Sequence, residues 1–202
     1  MSTLLPIFPL DTVLLPGTPL PLHIFEPRYQ EMIGECLTGK LPFGVVRAKE
    51  EGVAEVGCTA EITGVVKKYP DGRLDILTEG RRRFELMEVN QERSFLRAEV
   101  FYLSDEPGRA AADEVKQVMT LRDEIVALAG ADAQARTDDP EMLSFKLAGS
   151  LPLDLDFKQT LLGMNSESER TRALIKYFEA VLPNLRRTVQ VRKKAGGNGH
   201  VL

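Results

Sequence analysis

The sequence predicts an α+β fold: a small, partly closed β-barrel over residues 1–104 and a helical bundle over 105–186. Three observations carry this expectation. The first 104 residues hold 8 of the 12 prolines and many short alternating apolar runs. Residues 109–186 instead place apolar side chains at helical spacing. Between them, Ser104-Asp-Glu-Pro-Gly108 reads as a short turn-forming link.

Each element has its own local reason. Leu4–Leu10 and Thr18–Phe25 read as strands interrupted by prolines, hence as edge or bulged strands, because proline lacks the N–H a ladder needs. Leu14-Leu-Pro-Gly17 is a turn. Pro27 opens a helix. Tyr29, Met32, Ile33, Cys36 and Leu37 form its apolar face, and Gly39 is its expected stop. Phe43–Arg47 is the next strand. Residues 59–78 form a hairpin around Pro70-Asp-Gly72. Phe84 and Leu86 mark another strand, and Leu96, Ala98, Val100 and Tyr102 mark the last. Five or six strands and one helix suit a small barrel.

In the second half, Val115, Val118, Met119, Ile125, Val126 and Ala129 form a stripe ending at Gly130. Asp139-Pro140 reads as an N-cap with proline at N1. A short helix around Leu155, Leu161 and Leu162 stops at Gly163. Ser166-Glu-Ser-Glu169 fits a capping box. It opens a helix carrying Leu174, Ile175, Phe178, Val181, Leu182 and Leu185. Residues 187–202 read as a basic, flexible tail.

Composition excludes several classes. The chain has 202 residues, 43% of them hydrophobic and 28% charged, enough to bury a core. Net charge is −4, which argues against a general nucleic-acid binder. The charge is uneven: residues 1–104 carry −3, residues 105–185 carry −6, and the last 17 carry +5. No stretch approaches a membrane span and no signal peptide is evident, so a cytoplasmic setting is expected. The two cysteines, Cys36 and Cys58, cannot make a disulfide framework.

The chemical motifs are sparse. Gly34-Glu-Cys-Leu-Thr-Gly-Lys-Leu41 nearly matches a phosphate-binding loop. However, Leu41 stands where a Ser or Thr hydroxyl must reach magnesium, and the glycines fall at a helix end. A Cys–His–acid set would need His23 beside Cys36 or Cys58, and nothing in the spacing signals it. No metal-ligand spacing is present. No catalytic residue, cofactor or metal is expected. Arg81-Arg82-Arg83 is a basic run that could contact phosphate or an acidic partner, or could be a solvated strand start. The apolar residues of 14–25 are too many for one small core. His23, Phe25, Glu26, Arg28 and Tyr29 are therefore candidates to line a peptide groove, unless barrel and helices cover both faces.

These residues carry a resemblance. Pro6-Ile-Phe-Pro-Leu-Asp-Thr-Val-Leu-Leu-Pro-Gly-Thr-Pro-Leu-Pro-Leu-His-Ile-Phe-Glu-Pro-Arg-Tyr29 resembles the opening of the Lon protease N-terminal (substrate-binding) domain. Gly57…Ala60-Glu-Ile62, Pro70-Asp-Gly-Arg73, Glu79-Gly-Arg-Arg-Arg-Phe84, Leu153–Leu162 and Glu169-Arg170 are similar to its later landmarks. The resemblance implies a PUA-like β pseudo-barrel followed by a helical bundle. It also implies recognition of unfolded or tagged polypeptide segments, with a protease or chaperone as a further partner. The ATPase and protease domains of full Lon do not fit in about 200 residues, so a stand-alone, non-catalytic module is expected. RNA binding through the barrel and Arg81–Arg83 is the alternative.

Overall fold

The computed structural model describes residues 4–130 and 142–196. The Asp139-Pro140 cap and His200 lie outside them. The elements in order are β1 (Leu5–Leu10), β2 (Pro19–Ile24), α1 (Pro27–Gly39), β3 (Phe43–Lys49), β4 (Gly52–Val53), β5 (Val56–Lys68), β6 (Leu74–Asn90), β7 (Leu96–Tyr102), α2 (Ala112–Ala129), α3 (Leu143–Ser150), α4 (Leu155–Gly163) and α5 (Glu167–Gly196).

Five strands close on themselves in the order β1-β7-β6-β5-β3, because β1 pairs antiparallel with β7 and parallel with β3. Register puts Leu5 opposite Ala98, Ile7 opposite Gly44, and Phe84 opposite Gly57. These residues share the face that lines the barrel. Leu5, Ile7, Val46, Phe84 and Ala98 fill it. The Phe84 ring leaves no room for side chains at its neighbours: a Cβ on Gly44 or Gly57 would fall 2.7 or 2.6 Å from Phe84 Cζ. The other face of the same strands carries Phe8, Phe43, Val45, Cys58 and Ala60. It packs under α1 and the helical half in one large core that includes Met32, Ile33, Phe145, Leu161, Leu174 and Phe178. The apolar stripes of α1 and α5 are thus spent on one shared core.

Several elements differ from the sequence expectation. Phe84 and Leu86 do not start a new strand. They continue β6, a single 17-residue strand whose first half pairs with β2 and the far end of β5. This three-stranded arm projects from the barrel. The switch falls at Gly80, where the Leu15 carbonyl oxygen crosses at 2.2 Å from a would-be Cβ, and where the Gly17 N–H donates to the Gly80 carbonyl at 2.8 Å. The left-handed residue ending α1 is Lys40 (φ 51°), one beyond Gly39, and its N–H returns to the Cys36 carbonyl. Helix α5 runs on to Gly196, past Leu185 and through Pro183. Residues 187–196 are therefore helical where a frayed tail was expected. Of the capping box, Ser166 Oγ accepts from the Glu169 N–H at 3.4 Å, while Glu167 turns into the core.

A buried polar cluster joins the two halves. Arg83, on β6, is 3% exposed and Arg170, on α5, is fully buried. Both guanidiniums meet the Asp105 carboxylate of the linker, Arg83 Nη2 at 2.5 Å from Oδ1 and Arg170 Nη2 on Oδ2. Arg83 also donates to the carbonyls of Leu162 and Met164, each at 2.8 Å. Arg170 donates to the Met164 carbonyl and to Glu167 Oε2, which in turn accepts from Ser144 Oγ at 2.7 Å. Two cations and two carboxylates balance. Burial lowers the Arg83 pKa against the pull of Asp105.

Two stability measurements check this construction. Gly80→Ala should lower unfolding free energy in urea by about 2–3 kcal/mol or more, because the obstructing atom is backbone. Asp105→Ala should cost about 3–5 kcal/mol, since it leaves two buried guanidiniums facing each other.

Candidate functional site

The arm exposes one broad sheet face. Cross-strand register sets three rows: Pro19–Glu79–Glu61, Pro21–Leu77–Gly64 and His23–Asp75–Lys67. Alternation in β2 turns Leu20, Leu22 and Ile24 toward the core and leaves Pro19, Pro21 and His23 outside. Phe25, just past the strand end, is 61% exposed, Leu77 45% and Val66 64%. Gly64 has no side chain and nothing above it within 4 Å, so the flank of Leu77 is open. An apolar strip therefore crosses the face from Phe25 and Pro21 over Leu77 to Val66. Two register shifts in β5, at Ile62/Gly64 and Val65/Lys67, help present Val66 to solvent.

A polar-aromatic cluster stiffens the end of the strip. His23 Nδ1 stands 2.5 Å from Asp75 Oδ1, and Tyr69 Oη donates to Asp75 Oδ2 at 2.8 Å. The His23 ring stacks beside Phe25 (centroids 6.1 Å apart) and meets Tyr69 edge-on at 5.8 Å. Lys67 Nζ and the Arg73 guanidinium lie 4.4 and 4.9 Å from the Tyr69 ring centre. The His23 and Tyr69 hydrogen bonds hold the Asp75 carboxyl below its ordinary pKa.

The expected peptide-groove residues do not form one surface. His23 and Phe25 sit on this face. Glu26 pairs with Arg28 (Oε2 to Nε 2.9 Å), and the Arg28 guanidinium covers the Tyr29 ring at 4.6 Å. Tyr29 itself is buried, its ring 4.0 Å from that of Phe8. Burial raises its pKa. Arg28 and Tyr29 border a separate hollow of about 520 Å³ with Pro9, Arg93 and Phe95. Tyr29 is a core residue because the helical face that carries it is the one α1 turns inward.

The basic run also disperses. Arg81 is held between Glu61 and Glu79, at 2.6 and 2.8 Å. Arg82 lies flat on Tyr102, 3.8 Å from the ring centre. Arg83 is the interior clamp described above. A β-bulge between the Cys58–Arg83 and Ala60–Gly80 pairs splits the three between two faces. Cys36 and Cys58 are buried, and desolvation pushes their thiols up to about 11 and about 12, away from thiolate chemistry. The loop-like glycines Gly34 and Gly39 are residues of α1. Among the described residues no cluster of three or more metal-ligating side chains occurs, and no helix is long and apolar enough to cross a membrane.

Leu77 and Val66 were not anticipated as site residues. The signal for Leu77 was present, since the inward alternation of Leu74, Ile76 and Thr78 leaves an apolar Leu77 facing out. Val66 had no such signal, because its exposure depends on a bulge.

The structure thus joins a closed barrel to an open apolar sheet face, backed by a helical bundle. The chain belongs to the family of ATP-dependent protease La (LON) substrate-binding domains, whose model matches residues 4–179. It is similar to the Lon protease of Parabacteroides distasonis (31% identity, over 66% of this chain and 17% of that protein). It is also similar to that of Flavobacterium johnsoniae (26% identity, over 94% of this chain and 26% of that protein). The chain thus spans about a quarter or less of these relatives. Among solved structures, a Lon N-terminal domain protein from Xanthomonas campestris superposes with a TM-score of 0.71 at 25% identity, covering 87% of this chain and 98% of that one. The N-terminal domain of Mycobacterium avium complex Lon protease shares the fold, with a TM-score of 0.64 at 19% identity and coverage of 88% and 98%.

The sign of the Asp75 shift gives a test. A depressed folded pKa means the contact is present above the unfolded carboxyl value of about 3.9 and is lost as pH falls through the lower folded value. Carboxyl-detected NMR should place the Asp75 midpoint below about 3.9, and His23→Ala should raise it.

Proposed function

We propose that this domain is a non-catalytic module that binds unfolded or tagged polypeptide segments on the outer face of the β2–β6–β5 arm, for delivery to a protease or chaperone. The observation that carries this reading is the open strip Phe25–Pro21–Leu77–Val66 on a sheet whose other face is anchored in the core. A contiguous exposed apolar surface on a rigid support, rimmed by charges, is the signature of an interaction site.

The mode of contact is side chain to side chain. Pro19 and Pro21 have no N–H to offer, and among the described residues β2 pairs only with β6. An incoming strand would find few donors along that edge, so β-augmentation of β2 is disfavoured. Phe25, Leu77 and Val66 supply apolar contact. Tyr69 with Lys67 and Arg73 supplies a cationic-aromatic margin suited to segments mixing apolar and acidic residues.

The arginine arrangement weighs against RNA. Of the run, Arg83 is inaccessible and Arg81 is paired with two carboxylates, so no continuous track for phosphates remains there.

Binding of a permanently unfolded, reduced and carboxymethylated protein tests the reading. Leu77→Asp and Phe25→Asp should each weaken it by about tenfold or more, with the thermal midpoint retained, because both side chains are already exposed. If Phe101→Asp on the barrel wall abolishes binding and Leu77→Asp does not, the arm face is not the site.

A further inference from the structure

A pocket of about 570 Å³ opens where the barrel meets the arm. Its walls come from the end of α1 and the turn into β3 (Leu37, Lys40, Leu41, Pro42), from β5 (Thr59, Glu61, Ile62), and from Arg81, Arg82 and Tyr102. The pocket exists because β3 starts at Phe43, opposite Ala60, and leaves the next residues of β5 uncovered on that side. Tyr102 stands opposite Phe84 in the ladder, so it lies at the mouth of the barrel lining.

The lining is largely apolar, with an excess of cations among its charged residues. Leu37, Leu41, Pro42 and Ile62 offer an apolar floor, with Leu41 half exposed. Three cations face it against one carboxylate. Glu61 is already committed to Arg81 at 2.6 Å. Among the described residues neither Lys40 nor Arg82 has an ion-pair partner, and the Arg82 guanidinium carbon lies over the Tyr102 ring at 3.8 Å from its centre. A guanidinium held over an aromatic ring keeps N–H donors that can receive a planar anion in two hydrogen bonds. The Lys40 backbone takes the left-handed cap geometry at the end of α1.

The pocket is continuous with the arm face. Glu61 and Glu79, which bracket Arg81, belong to the row Pro19–Glu79–Glu61, adjacent to the row of Leu77. From Leu77 to Arg82 is five residues of strand, roughly 17 Å, the span of about five extended residues.

We propose that this pocket takes the free C-terminal carboxylate of a bound polypeptide, with the carboxylate on Arg82 and Lys40 and the last apolar side chain against Leu37, Leu41 and Ile62. This rests on the arm-face reading above, since the rest of the segment lies along β6 toward Leu77. The domain then distinguishes a chain end from an internal apolar stretch.

The test uses a fluorescein-labelled ten-residue apolar peptide ending in Leu-Val, made as the free acid and as the C-terminal amide, with binding followed by anisotropy. On the unaltered protein the amide should bind about tenfold more weakly or worse. Lys40→Asn with Arg82→Gln should erase that difference at an unchanged thermal midpoint; asparagine tolerates the left-handed backbone at position 40. Leu77→Asp should weaken both peptides alike. Equal affinity for acid and amide, or a difference that survives the double variant, overturns the pocket assignment. Acid binding insensitive to Leu77→Asp overturns the arm-face reading instead. Displacement of the acid by millimolar acetate or phosphate, with no contribution from the peptide's last side chain, would show a bare anion site and also overturn the proposal.

Discussion

Asp105 is the residue on which the two halves of the molecule depend. It sits in the short linker, yet it receives a guanidinium from the barrel and another from the longest helix. Neither arginine could be buried alone, because a buried unpaired charge is strongly unfavourable. Folding of the barrel therefore places a cation that only the linker and the α4–α5 turn can satisfy, and folding of the bundle places a second. The cluster is specific where the surrounding apolar core is not. Phe145, whose ring lies 4.1 Å from the Arg170 guanidinium, shows how the two kinds of packing meet. This coupling lets one large core serve both halves.

Strand β6 converts that anchorage into an exposed surface. Its second half is barrel wall and carries Arg83 inward. Its first half is the centre of the arm and carries Leu77 outward. Gly80 is the joint, and it must be glycine because the β1–β2 turn passes directly over it. Side chains on the arm face thus inherit the rigidity of the core without sharing its burial. A loop would present the same residues with more freedom and a larger ordering cost on binding.

Much of this was legible from sequence, for identifiable reasons. Proline placement and period-2 alternation located β1, β2 and β7. The 3.6-residue stripe and Gly130 located α2, whose cap adopts φ 65° at that glycine. The motif-rich opening, residues 6–29, identified the family. What was missed depends on tertiary partners. Arg83 reads as a surface charge until Asp105, Asn165 and two carbonyls are brought to it. Tyr29 reads as equally fit for core or groove until α1 is docked against Phe8. The continuity of β6 through Gly80 was hidden because a glycine followed by three arginines resembles a turn and a fresh start. Val66 is exposed by bulges that no alternation pattern encodes. Of the five groove candidates, only His23 and Phe25 share the arm face, because the chain turns from strand to helix between Phe25 and Pro27.

The same prolines that interrupt β2 also bear on the exposed apolar face beside it. An open sheet edge beside exposed Phe25, Leu77 and Val66 would invite strand pairing between copies. Pro19 and Pro21 remove that option at the edge while leaving the face untouched, and Lys67, Lys68 and Arg73 add like charges that keep copies apart. On the reading proposed above, contact along the arm face would be made by side chains, without a ladder of backbone hydrogen bonds. Such contact would read composition rather than a fixed sequence, as the proposed binding of many different unfolded segments requires.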